Sequence, residues 1–277
     1  GIRVETATIS PWRFEVARNT ALGANALVSN SSSNYNTAIG NQALQYQTGA
    51  QNTAVGDTAL QGVNGSSTGG LNTSVGQGSL GSNTTGSNNT AVGYQAGYAN
   101  TTGTITAVGF AALAANTTGV SNTAVGREAL RLNTTGVNNT AIGYGSSYTN
   151  TFGNSNTALG LNSLYSNTTG ASSVAIGYGS LYTNSTGSYN VALGEQALYS
   201  NATSSAQTAV GYQALYNTTS ANNVAVGYQA GYSNTTGSSL VALGFQAAYN
   251  GTDLDHTVAI GYQSLYSINN TSADDNT

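Results

Sequence analysis

The chain has 277 residues, of which only 5% are charged: five Arg, no Lys and nine acidic residues give a formal net charge of −4. Soluble globular domains usually carry about 25% charged residues, so amide and hydroxyl side chains must keep this surface hydrated, as in repetitive outer-surface proteins. With no basic run there is little counterion release to drive nucleic-acid binding, and no apolar stretch reaches the roughly 18 residues of a membrane helix. We therefore expect no nucleic-acid partner and no membrane insertion. Because the sequence contains no Met, we also expect a processed or partial chain.

Residues 1–18 differ from the rest of the chain. They contain three of the five Arg, the only Pro and the only Trp. Polar and apolar residues alternate on both sides of the Pro, which predicts two short strands. The segment is either a cap over the edge of the first coil or an assembly strand that pairs with another copy and builds a head-to-tail filament. In the second case the assembly candidates are Pro11, Trp12, Arg13 and Phe14.

Residues 19–268 repeat a unit of about 17 residues. Each copy contains Ala or Ser, then an aliphatic residue, then a glycine that we call the coil glycine. Ten of the 14 intervals between coil glycines are 17 residues, three are 16 and one is 20. A helix-pair repeat needs more than about 30 residues, so we predict an all-β fold, a β-solenoid of about 15 coils. The coil glycines are Gly23, Gly40, Gly56, Gly76, Gly93, Gly109, Gly126, Gly143, Gly160, Gly177, Gly194, Gly211, Gly227, Gly244 and Gly261.

Alignment of the copies separates columns of large residues from columns of small ones. An aliphatic residue always precedes the coil glycine, and Thr or Val stands two places before that aliphatic residue. We therefore expect these two columns to share the core face of a first strand. The residue between them is Ala in every copy except Ser74, and the third residue after the coil glycine is Ala or Ser. Because a solvent-facing position would vary more, we expect the small columns to face another chain or coil. The interface candidates are Ala38, Ala54, Ala91, Ala107, Ala124, Ala141, Ala158, Ala175 and Ala192.

The rest of each copy predicts a second strand and a loop. The position after the second small column is usually Leu, which we expect to close the core from a second strand bent at the coil glycine. Asn-Thr-Thr-Gly or a close variant then leads to the next coil, and such residues favour turns. Many of these Asn belong to Asn-x-Ser/Thr sequons, which either follow from the turn chemistry or accept glycans. The interval from Gly56 to Gly76 contains the one obvious insertion.

Aromatic residues form two columns. The first directly follows the coil glycine, with Phe110 and Phe245 in two copies, and the second lies four residues further on. Coils stacked about 4.8 Å apart would arrange the rings in ladders. The ladders are interpreted either as structural stacking or as a surface for sugars or cell-wall polymers. The surface-binding candidates are Tyr94, Tyr144, Tyr178, Tyr212, Tyr228 and Tyr262.

No cluster of residues predicts catalysis. Residues 253–256, Asp-Leu-Asp-His, are one short loop cluster, which is too little to predict a metal site. Arg127, Glu128 and Arg131 are interpreted as surface ion pairs. With one His and no Cys, neither a Ser-His-Asp set nor thiol chemistry is expected. We therefore predict a non-enzymatic protein with no catalytic residue, no metal and no cofactor.

The repeat resembles a known family. The string Asn-Thr-Ala-Val-Gly-x-x-Ala-Leu, at residues 52–60 and 122–130, resembles the head repeat of YadA-like trimeric autotransporter adhesins, and residues 174–177 and 258–261 contain its Val-Ala-Ile-Gly. Similar repeats with Asn-Thr-Thr-Gly loops occur in bacteriophage tail-fibre proteins. The resemblance covers residues 19–266 and implies a left-handed parallel β-roll in which three chains lie side by side and bind host surfaces or matrix.

Two functions remain open. The first is a fibre or adhesin head at an extracellular, cell or virion surface: a homotrimeric solenoid whose partners are its own copies and cell-surface glycans or matrix. The second is a self-polymerising extracellular filament coupled head to tail through residues 1–18. Ice binding by a threonine array is disfavoured, because the Thr column changes to Val in several copies and this exchange is typical of a packed face. Residues 269–277 are expected to be a solvated tail or the start of a further domain.

Overall fold

The computed structural model describes residues 18–29 and 33–267. The assembly candidates Pro11, Trp12, Arg13 and Phe14 and the C-terminal tail therefore lie outside the described residues. The chain divides into two compact units, residues 1–135 and residues 136–277. In the described ranges no helix has the length and apolar character needed to span a membrane.

Both units are all-β and form a parallel β-solenoid, which confirms the predicted fold class. One strand of three or four residues precedes each coil glycine, and the 15 strands follow the period of the sequence. The first unit contains β1 (Thr20–Leu22), β2 (Thr37–Ile39), β3 (Thr53–Val55), β4 (Thr73–Val75), β5 (Thr90–Val92), β6 (Ile105–Val108) and β7 (Asn122–Val125). The second contains β8 (Thr140–Ile142), β9 (Thr157–Leu159), β10 (Val174–Ile176), β11 (Val191–Leu193), β12 (Thr208–Val210), β13 (Val224–Val226), β14 (Val241–Leu243) and β15 (Val258–Ile260).

Successive strands within each unit pair in parallel and in register. Ala54 of β3, for example, pairs with Ala38 of β2 and with Ser74 of β4, although the two intervals are 16 and 20 residues long. The longer interval places residues 63–66 in an exposed turn. Differences in coil length are therefore absorbed outside the strands, and each column of the sequence stays aligned along its unit.

The small column inside the strands lines the core, so the predicted facing of the strand is wrong. In β2, Ala38 is buried, whereas Thr37 is half-buried and Ile39 is exposed. Across the coil, the Ser74 hydroxyl donates to the backbone oxygen of Ser79 at 2.8 Å, so the two small columns meet inside one coil. The close approach was predicted between chains or between coils, whereas it is found here inside one coil of the same chain. All the interface candidates are fully buried within the chain: Ala38, Ala54, Ala91, Ala107, Ala124, Ala141, Ala158, Ala175 and Ala192.

The Leu column closes the core as predicted, but from a turn and not from a second strand. The residues after each coil glycine form turns, and the leucines of this column have φ between 47° and 57°. This left-handed region is least tolerant of β-branched side chains, so the column holds Leu, Gly, Ala or Ser and never Val or Ile. The fully buried members are Leu44, Leu60, Leu80, Leu113, Leu130, Leu164, Leu181, Leu198 and Leu215.

Two buried asparagine ladders join the coils. In the first ladder, the Asn36 Oδ1 accepts the backbone N–H of Asn52 at 2.8 Å. In the second, the Asn116 Nδ2 donates to Asn100 Oδ1 at 2.8 Å and to the backbone oxygen of Gly119 at 3.1 Å. A buried amide without partners would be strongly unfavourable, and repetition of the same residue in most coils supplies those partners. The Asn-Thr-Thr-Gly loops are therefore part of the core.

Candidate interaction surfaces

The outward residues of the strands form an uncharged surface of aliphatic and Thr side chains, here called the strand face. In each coil it consists of the aliphatic residue before the coil glycine and the Thr or Val two places before that residue. Leu193 and Val226 of the second unit are 43% and 40% exposed. Neither column contains a charged residue in any copy. Each unit therefore presents an uncharged strand face along the full run of its strands.

The first aromatic column is exposed and partly stacked. All six surface-binding candidates, Tyr94, Tyr144, Tyr178, Tyr212, Tyr228 and Tyr262, are between 37% and 73% exposed. In the first unit the rings of Tyr94 and Phe110 stack with their centroids 5.2 Å apart, and the Arg127 guanidinium carbon lies 5.4 Å from the centroid of Phe110, a cation–π contact. In the second unit the stack contains Tyr212, Tyr228, Phe245 and Tyr262.

The second aromatic column forms a tyrosine ladder in the second unit. Its centroids lie 5.1–5.3 Å apart and its ring planes are 3° to 17° from parallel. Burial raises the pKa of Tyr216 and Tyr249, and the stacked tyrosines beside them raise it further. Both hydroxyls therefore stay protonated at neutral pH. The ladder contains Tyr148, Tyr165, Tyr182, Tyr199, Tyr216, Tyr232, Tyr249 and Tyr266.

A glutamine ladder lies beside the tyrosine ladder. The Gln213 Nε2 donates to Gln196 Oε1 at 2.8 Å, and each following glutamine donates to the one before it at 2.8–3.0 Å. This ladder was not predicted, although Gln recurs two residues after the coil glycine in consecutive copies. The ladder contains Gln196, Gln213, Gln229, Gln246 and Gln263.

The few charged residues are held by local contacts. The Asp255 Oδ1 accepts the Ser238 backbone N–H at 2.6 Å and the Ser238 hydroxyl at 2.9 Å, and these two hydrogen bonds lower the pKa of Asp255. The Arg131 Nη1 lies 2.9 Å from Glu128 Oε1. Among residues 18–29 and 33–267, no three His, Cys, Asp or Glu side chains gather where they could hold a metal ion.

The sequon asparagines in the second asparagine ladder are buried. The Asn83 Nδ2, for example, donates to the backbone oxygen of Gly86 at 2.9 Å. A buried, hydrogen-bonded amide nitrogen cannot carry a glycan in the folded chain, so these contacts favour the turn interpretation. Asn217 falls outside the ladder, because Thr218 occupies the buried position there. The fully buried sequon residues are Asn83, Asn100, Asn116, Asn133, Asn167, Asn184, Asn201 and Asn234.

The surfaces described above are the features of the chain that bear on its function. No family model, no curated protein and no solved structure matches this chain.

Proposed function

We propose that the chain is a non-enzymatic structural and adhesive solenoid that packs side by side with copies of itself, as a homotrimer, at an extracellular, cell or virion surface. The strand face carries this proposal. Soluble monomers rarely expose contiguous apolar patches larger than a few hundred Å², and the strand face extends over eight strands in the second unit alone. In that unit the strand face combines eight aliphatic residues with five Val and three Thr, and an uncharged surface of this composition and extent is typical of an interface.

The composition of the strand face favours a second copy of the chain as its partner. Val174 and Val191 stand where other coils have Thr, and this exchange keeps the shape of the side chain while it removes the hydroxyl. A packing surface tolerates such an exchange, whereas an ordered-water surface would lose its regular hydroxyls. Because the strands are in register, two copies would offer each other the same columns at every coil. The number three is implied by the resemblance to the YadA-like heads.

Light scattering of the purified chain tests the proposal. We expect a mass three times the 27.8 kDa of one chain. The double variant Leu193→Glu and Val226→Glu places charges on the strand face at exposed positions and should give monomers. Its matched control is Val120→Glu with Leu132→Glu, since these residues are 41% and 38% exposed but lie outside the strands. A monomeric natural chain, or a strand-face variant that stays trimeric, would overturn the proposal.

A head-to-tail filament is a second candidate, favoured by the last described coil. A Cβ added at Gly261 would meet no atom of the described residues within 4 Å, whereas at Gly244 it would lie 2.4 Å from the Gly261 oxygen. Ile260 and Tyr262 are also 65% and 73% exposed. Among the described residues no strand pairs with the outer edge of β15, and a free edge of a parallel sheet can accept a further strand. Electron microscopy should show fibres that disappear when residues 1–18 are deleted, and fibres that survive the deletion would count against this candidate.

A further inference from the structure

The tyrosine and glutamine ladders of the second unit form one surface, here called the ladder strip. Their side chains lie next to each other: a Cβ added at Gly179 would be 3.5 Å from Tyr199 Cδ2 and 3.7 Å from Gln196 Cγ. Both ladders continue through the four coils that follow, as far as Gln263 and Tyr266. The ladder strip therefore repeats one tyrosine and one glutamine in each coil from residue 196 to residue 266.

The ladder strip has unused hydrogen-bonding groups. Within the described part of the chain, no hydrogen bond engages the hydroxyls of Tyr199, Tyr216 or Tyr232, and all three rings are half-buried. Each inner glutamine gives one N–H and one oxygen lone pair to its ladder, and an amide has a second N–H and a second lone pair. Every coil of the ladder strip thus offers phenol and amide groups for a ligand.

Stacking determines how the rings can be used. Aromatic residues usually bind sugars through their faces, but the faces of Tyr199, Tyr216 and Tyr232 contact one another at 5.1–5.2 Å between centroids. A ligand on the ladder strip therefore meets ring edges and hydroxyls. It must be a chain of hydrogen-bonding groups, and flat apolar ligands are excluded.

The spacing of the ladder strip selects the kind of chain. An extended peptide repeats every two residues at about 6.6 Å. The ring centroids of successive coils in the ladder strip are 5.1–5.2 Å apart, so the peptide would lose register by more than about 1 Å at each coil. A pyranose chain with equatorial linkages has a residue length close to one coil spacing and presents hydroxyls along both edges. It can therefore meet the same groups in every coil.

The absence of basic residues in the second unit narrows the class of polymer ligand further. The second unit contains no Arg and no Lys between residues 136 and 277, so an anionic polymer would find no cation to pair with. Nucleic acids and acidic polysaccharides depend on such pairing. The ladder strip thus suits an uncharged chain.

We propose that the ladder strip binds an extended, uncharged, equatorially linked polysaccharide that lies along the coil axis. This inference rests on the proposed adhesive function and names the class of its ligand. The tyrosine hydroxyls and the second N–H of each glutamine donate to the sugar oxygens, while the glutamine oxygens accept from the sugar hydroxyls. Each coil adds a modest contribution, and the affinity comes from the number of coils engaged.

Binding to microcrystalline cellulose and to insoluble chitin tests the inference. We expect the full chain to sediment with at least one of them. The triple variant Tyr199→Phe, Tyr216→Phe and Tyr232→Phe keeps the stacked rings and removes three hydroxyls. A net hydrogen bond contributes about 1 kcal/mol, so the loss of three should lower the affinity by on the order of a hundredfold. The matched control, Tyr35→Phe, Tyr46→Phe and Tyr189→Phe, makes the same change at residues outside both aromatic columns and should bind like the natural chain.

The outcomes separate this inference from the proposed function. A trimer that sediments with neither polysaccharide overturns the ligand class and leaves the side-by-side association standing. Unchanged binding by the first triple variant, or an equal loss in the control, overturns the assignment to the ladder strip. Light scattering on both triple variants should give the mass of the natural chain, since neither changes the strand face.

Discussion

Leu215 and Leu240 flank the same point of the core, where Gly231 carries no side chain. A Cβ added at Gly231 would lie 2.8 Å from Leu215 Cδ2 and 3.2 Å from Leu240 Cδ2. Gly231 stands at a position that most coils fill with Leu, and Leu240 stands where most coils have the Asn of the first asparagine ladder. The missing leucine of one column is thus compensated by a leucine in the other. Gly97 and Ile105 repeat the arrangement, since a Cβ at Gly97 would lie 2.7 Å from Ile105 Cδ1.

The two leucines provide a matched test of backbone conformation. Both are fully buried, but Leu215 has φ of 50° and Leu240 is not in the left-handed region. Leu→Val removes one methylene at either site, worth about 0.8 kcal/mol. At Leu215 the β-branched side chain should add about 1–2 kcal/mol of backbone strain. We expect urea unfolding, followed by circular dichroism, to show the lower midpoint for Leu215→Val. Equal midpoints would mean that the left-handed turn does not select Leu.

The fold was largely predictable from sequence, because the spacing of the coil glycines fixes the period and the period fixes the architecture. Which face of each strand is buried was not predictable in the same way. Val and Ile on either side of an Ala usually indicate that the larger residues are buried. Here Ala38 and its equivalents share the core with the buried Leu column, and the larger residues on either side of each Ala face outward.

The interaction surfaces were predicted in part. The tyrosine columns were visible as recurrences, and the stacking follows from the parallel register. The left-handed turn could have been predicted from the absence of Val and Ile in the Leu column. The position of the glutamine ladder next to the tyrosine ladder depends on how the turn folds back, which the period alone does not specify.

Gly211 and Gly261 separate steric clash from backbone strain. Their φ values are 133° and 122°. A Cβ at Gly211 would lie 2.3 Å from the Gly227 oxygen, whereas at Gly261 it would meet no atom of the described residues within 4 Å. We expect Gly211→Ala to destabilise the chain by about 3 kcal/mol or more, because backbone atoms of the next coil must move. Gly261→Ala should lower the free energy of unfolding by only about 1–2 kcal/mol, because of the unfavourable φ. Thermal unfolding by calorimetry measures both, and similar losses would show that crowding between coils is unimportant.

The tyrosine ladder should make stability fall at alkaline pH. Burial raises the pKa of Tyr216 and Tyr249 above that of an unfolded tyrosine, which is about 10. As pH rises through that value, the unfolded chain releases protons that the folded chain retains, so the stabilisation is complete below about pH 10 and is lost above it. The double variant Tyr216→Phe and Tyr249→Phe should therefore show a smaller drop in melting temperature between about pH 9 and pH 11. Identical drops for the variant and the natural chain would contradict this assignment.

The second asparagine ladder should reject a carboxylate at neutral pH. The Asn116 Nδ2 donates to the oxygens of Asn100 and Gly119, so Asn116→Asp would place a buried negative charge against two acceptors. An uncompensated buried charge destabilises by about 3–5 kcal/mol. Burial would also raise the pKa of the new carboxyl, so its protonated form, which has one O–H to donate, should prevail as pH falls.

The loss of unfolding free energy in Asn116→Asp, relative to the natural chain, should therefore shrink as pH falls from about 7 to about 4, because protonation removes the buried charge. Asn64→Asp is the matched control: Asn64 lies in the exposed insertion, where the same change should alter stability by less than about 0.5 kcal/mol at either pH. Chemical unfolding at both pH values supplies the comparison. If Asn116→Asp were no less stable than Asn64→Asp at neutral pH, the amide ladder would not be what joins successive coils.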